Sequence, residues 1–137
     1  YHLAVALLNN SVSLMDAGQP EEAAPLLREA AALLPAVGSF SLDVYMIEFT
    51  ASYAALRGDW AAVAQLLAAS GRLREEQDMP LAPRDVGGRQ ELVAGALAAL
   101  GEAAMQVETT AGLGLARALA HGPACPGPPG HRLAPDR

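Results

Sequence analysis

Gly18 and Gly58 stand forty residues apart, and each divides two apolar segments of helical period. Before Gly18, Leu3, Leu7, Leu8, Ser11, Leu14 and Met15 recur at three- and four-residue spacing, which puts them on one face of a helix over residues 3–17. After it, Pro20 suits a first helical position, and Glu21 and Glu22 favour the positive end of the helix dipole. This second helix buries Ala23, Leu26, Leu27, Ala30, Leu33 and Leu34 and is expected to stop at Pro35. Pro25 is its awkward member, because it removes an intrahelical hydrogen bond. The same grammar returns around Gly58. Asp43 is the expected cap of a third helix reaching Leu56, with Val44, Ile47, Ala51 and Ala54 or Ala55 facing inward. Asp59 reads as the N-cap of a fourth helix that opens at Trp60 and carries Val63, Leu66, Leu67 and Ser70 on one face. Trp60 is expected as a lid over the hairpin core. Glycine at both turns accepts a left-handed backbone that a Cβ would resist.

The rest of the chain is helical by composition. Thirty Ala and twenty-one Leu stand against twelve Val, Ile and Thr taken together. Ala and Leu lead the helix scale, whereas β-branched residues lead in strands, so the expected class is all-α. With 137 residues, one compact domain is possible and two are not. Residues 79–88 hold Pro80, Pro83, Gly87 and Gly88 and read as a linker. A fifth helix follows over residues 89–107 on Leu92, Val93, Ala96, Leu97, Leu100 and Ala104. A short terminal helix over 113–120 is weakened by Gly112 and Gly114. The helical domain is thus 1–121, and 122–137 reads as a disordered Pro/Gly-rich tail.

The charge pattern excludes several functions. Nine basic residues against fifteen acidic ones leave a net charge of −6, which disfavours direct nucleic-acid binding because no cluster of cations displaces counterions from phosphates. The chain contains no Lys, hence no phosphate-binding Gly-Lys loop. One cysteine forms no internal disulfide, no apolar run is long enough for a membrane span, and no basic leader precedes an apolar segment. A cytoplasmic protein, or a domain of one, is the expectation. Cys125, His121, His131 and Asp136 are types that ligate a soft metal, but their spacing among Pro123, Pro126, Pro128 and Pro129 matches no zinc pattern. Glu21, Glu22 and Glu29 read as helix-start and solvated residues rather than an acid/base pair. No catalytic residue, metal site or cofactor is expected, and the chain reads as a non-enzyme.

The two helix pairs resemble the tetratricopeptide repeat. In the first, Leu7, Ser11, Leu14, Gly18, Ala23, Leu27, Ala30 and Pro35 fall in the family's register, with Asn10 where leucine is preferred. The second keeps Ile47, Ala51, Gly58, Val63 and Leu67, with Thr50 in place of leucine and Ala54 in place of a large ring. An extended connection over 36–42 sets the period. Over roughly residues 3–121, and most specifically over 66–105, the order of residues is similar to the C-terminal helical region of large bacterial signal-transduction ATPases and LuxR-type transcriptional regulators. Asp85-Val86-Gly87-Gly88, Thr109 and Arg117 depart from that pattern.

The resemblance implies antiparallel helical hairpins stacked as a tetratricopeptide-like right-handed superhelix. It also implies a noncatalytic scaffold that binds a protein segment or a neighbouring domain of a parent regulator along the concave face of the first helices. Asn9, Asn10, Tyr45, Glu48 and Tyr53 are then the partner-binding candidates, joining hydrogen-bonding groups to rings that lose little entropy on contact. Glu48, flanked by Met46, Ile47 and Phe49, faces either that groove or water, and water is the simpler reading. The alternative is a structural homo-oligomerisation module, because a short stack of hairpins leaves apolar end faces uncovered.

Overall fold

A computed structural model describes the backbone of residues 1–121 and the side chains through Arg117. Over that range the chain is all-helical, without strands: α1 (His2–Asp16), α2 (Pro20–Val37), α3 (Phe40–Leu56), α4 (Trp60–Glu76), α5 (Pro83–Leu100) and α6 (Glu102–His121). The tail expected over 122–137, with Cys125, His131 and Asp136, lies outside the described residues.

The two glycine turns are built alike. Gly18 and Gly58 adopt φ of +74° and +75°. In the first, the Gln19 N–H donates to the Leu14 carbonyl at 2.8 Å and Gly18 N–H to Met15 at 3.0 Å. In the second, Asp59 N–H donates to Ala54 at 2.9 Å and Gly58 N–H to Ala55 at 3.0 Å. This pair of bonds satisfies carbonyls that a helix end otherwise leaves open. The same arrangement ends α4, where Met79 N–H reaches Arg74 at 2.8 Å, but the left-handed position there is held by Asp78 at φ +48°. Asp59 caps α4 as its residue type demands, its Oδ1 accepting from the Ala62 N–H at 3.2 Å.

Several boundaries differ from the sequence expectation. α2 runs through Pro25 and Pro35 to Val37 and ends at Gly38, φ +63°. Pro35 falls in the last turn, where it removes one bond and little helix remains to disrupt. α3 begins at Phe40, so Asp43 lies in its first turn and Ser39 occupies the cap. The expected linker is half helix: Ala82 is extended at φ −63°, ψ 142°, and Pro83 opens α5 as an N-terminal proline. The single helix expected over 89–107 is divided at Gly101, φ +79° and ψ 165°, and α6 continues unbroken through the expected short helix at 113–120.

Three clusters make up the core. Leu7, Leu8, Leu27, Ala30, Leu34 and Leu42 join α1, α2 and the start of α3. Ala51, Ala54, Val63, Ala64, Leu67 and Ala96 join α3, α4 and α5, with Trp60, Leu92 and Met105 packed around them. Val44, Ala69, Leu73 and Ala116 join the other end of α3 and α4 to α6. The connections between successive helices are short, so neighbours reverse direction and alternate helices run alike. α6 lies along α4 through small residues, Gly112 against Gln65 and Ala116 against Ala69 and Leu73. α5 is held more lightly. Ala96 is its one buried residue, and Val86, Val93 and Leu97 are 38–41% exposed.

Candidate functional site

A groove of about 960 Å³ opens between α1, α3 and α5. Each helix contributes a stripe at helical spacing: Val5, Asn9, Val12 and Asp16 from α1; Tyr45, Phe49, Ser52 and Leu56 from α3; Arg84, Asp85, Gly88 and Leu92 from α5. Trp60 and Leu67 of α4 close its base. Leu8 and Met15, buried in the core of α1, also reach the groove, so its groove stripe adjoins its core face. On α3, Tyr45 and Phe49 stack one turn apart, with ring centroids at 6.1 Å and planes at 24°.

The groove wall is tied together by three charged residues from three helices. Arg74 of α4 grips Glu48 of α3 with a two-pronged contact, Nε to Oε1 at 2.6 Å and a terminal nitrogen to Oε2 at 2.8 Å. Its other terminal nitrogen donates to the Met79 and Pro80 carbonyls at 3.2 and 3.4 Å, fastening the start of the α4–α5 connection. The Tyr45 ring lies against the same guanidinium, 5.5 Å from centroid to Cζ. Arg89 of α5 reaches Glu48 at 3.4 Å, Ser70 Oγ at 3.0 Å and the Leu67 carbonyl at 2.5 Å. Gly71 leaves room beside it: a Cβ there would stand 2.9 Å from the Arg89 terminal nitrogen.

The electrostatics follow from the contacts. Hydrogen bonding to Glu48 holds the Arg74 guanidinium above its ordinary range, and burial pulls Arg89 below it. Both remain cations at neutral pH because the free guanidinium deprotonates only in strong base. The Glu48 side chain is 15% exposed and satisfied by two guanidiniums, which corrects the expectation that it faces water. Arg74, in the last turn of α4, is 7% exposed. A carboxylate so engaged ties α3 to α4 and α5.

Of the five partner-binding candidates, Asn9, Tyr45 and Glu48 line the groove. Asn10 is exposed outside its lining, and Tyr53 packs half-buried against the α1–α2 core. Trp60 covers α5 rather than only its own hairpin: a Cβ on Gly95 would stand 2.6 Å from the edge of its ring. Arg74 and Arg89 were not foreseen, since they lie 26 and 41 residues from Glu48. The adjacent small residues Ser70 and Gly71 were the available signal. Among the described residues, no cluster of three His, Cys, Asp or Glu side chains is arranged to hold a metal ion. No helix there is long and apolar enough to cross a membrane.

No known protein family, curated protein or solved structure matches this chain.

Proposed function

We propose that this chain is a noncatalytic helical-repeat scaffold whose groove binds a protein segment or a neighbouring domain of a larger protein. The observation that carries the reading is the groove itself, walled by α1, α3 and α5, every second helix of the chain. Its apolar stripes and rings supply contact area, and Asn9 and Ser52 supply hydrogen-bonding groups between them. The matching turns at Gly18 and Gly58 support hairpins α1–α2 and α3–α4 stacked as a tetratricopeptide-like right-handed superhelix. The parent, on the resemblance of residues 66–105, is a bacterial transcriptional regulator or signal-transduction ATPase acting in the cytoplasm. Calorimetric titration with the adjoining domains of that parent tests the reading. Val12→Trp, which fills the groove from α1, should weaken binding by about tenfold or more, as blocking the centre of an interface does. Unchanged affinity in a variant that keeps the wild-type circular dichroism spectrum would refute groove binding.

The second reading, a homo-oligomerisation module, draws on the third helix pair. Val93 and Leu97 on α5 and Val107, Leu113 and Leu115 on α6 are all 39–66% exposed. Sedimentation across a concentration series separates the readings, because a dimer built on these residues dissociates when Leu97 and Leu113 are changed to Glu.

A further inference from the structure

We infer that the segment taken by the groove is basic: apolar side chains along its length, with an Arg or Lys at the end of the groove where α1 and α3 terminate. The inference rests on the groove-binding reading above and adds the chemistry of the occupant. The lining carries four carboxylates, Asp16, Glu48, Asp85 and Glu91, against the guanidiniums of Arg84 and Arg89. Most of these charges are already engaged. Glu48 is held by Arg74 and Arg89, and Arg84 lies 3.9 Å from Asp85. Asp16 and Glu91 remain, and neither makes an ion pair among the described residues.

Both line the same groove. Asp16 is the last residue of α1, and Leu56, the last of α3, lines the same groove. Trp60 follows α3 after one turn and packs on Gly95 of α5, and Glu91 lies one turn before Gly95, between that contact and Arg89. Neither α1 nor α3 has a basic residue in its last turn, so the negative ends of two helix dipoles add to the two carboxylates. Arg57, the residue after α3, pairs with Glu21 of α2 at 2.8 Å. Met15, Leu56 and Trp60 line the groove as well, apolar partners for the stem of a long basic side chain. An acidic segment would meet the unpaired carboxylates Asp16 and Glu91.

The test uses the 137-residue chain and three fluorescein-labelled peptides that differ only in charge. An extended peptide of about nine residues spans three helices packed side by side. Leu occupies alternate positions, and the others are Arg, Gln or Glu. Binding is followed by fluorescence anisotropy. The Arg peptide should bind about fivefold to tenfold more tightly than the Gln peptide, the gain expected of two exposed ion pairs, and the Glu peptide should bind weakest. Asp16→Asn with Glu91→Gln should remove that difference and leave the Gln peptide unchanged. Both positions are exposed, so the variant keeps its fold. Equal binding of the Arg and Gln peptides, or an Arg preference that survives the double substitution, overturns the basic occupant while groove binding stands. Binding of none of the three, or binding that persists in Val12→Trp, overturns the groove reading itself.

Discussion

Gly112 of α6 rests against the backbone of Gln65 in α4, whereas Gly114, two residues on, meets no neighbour within 4 Å. The contact is close enough that a Cβ at position 112 collides with the Gln65 carbonyl. The Gln65 amide also donates to the Glu108 carboxylate, one turn earlier on α6. Gly112→Ala should therefore push α6 off α4 and destabilise the protein by about 1–3 kcal/mol, the usual effect of overpacking. Gly114→Ala removes a flexible residue from an exposed helix position and should stabilise by about 0.5–1 kcal/mol. Urea titration of the two variants gives opposite shifts in midpoint if this packing is right.

Glu48 should be more important to the fold than to the partner. Removing its charge leaves Arg74 and Arg89 without their shared counterion in a mostly buried position, at a cost of about 2–4 kcal/mol for Glu48→Gln. Arg74→Lys keeps the charge but loses the two-pronged geometry, and most of that loss should persist. Arg89→Gln acts on α5 alone, because α5 has little apolar burial to hold it. Hydrogen exchange should then quicken across residues 83–100 while α1 and α2 keep their protection.

The helix ends offer a comparison of one backbone conformation in different residues. Gly18→Ala and Gly58→Ala each place a Cβ in the left-handed region and should destabilise by about 1–2 kcal/mol. Asp78 already occupies that region, and Asp78→Gly should gain about 0.5 kcal/mol, the relief of strain less the entropy of glycine. Thermal melts of the three variants check the sign at each position.

Leu27 and Leu67 hold corresponding places in the first two cores, at 5% and 4% exposure. Each Leu→Ala change should cost about 2–4 kcal/mol through lost contacts and a cavity. Arg28→Ala, at an exposed neighbour, should cost less than about 0.5 kcal/mol. Gln65, which looks like an equally exposed neighbour from the α4 periodicity alone, should be more sensitive than Arg28 because α6 covers it. Denaturant midpoints of the four variants rank these sites.

What the sequence determined by itself is whatever is decided within a turn or two of the chain. The apolar spacing of α1 to α4, the left-handed turns at Gly18 and Gly58 and the Asp59 cap depend on neighbours three to six residues away, and each is legible there. Pro83 marks the limit of such reading, since a proline can end a helix or open one. The candidate site was legible in part. Asn9 and Tyr45 stand on the groove stripes of α1 and α3, as their spacing allows, but periodicity does not separate them from Asn10 and Tyr53 on the same helices. Only the tertiary structure decided those faces, the burial of Glu48 between two arginines, and the approach of α6 to α4 at Gly112 rather than Gly114. These depend on which distant helices meet. The energy of a charge or a missing side chain is set by what packs against it, not by its neighbours along the chain.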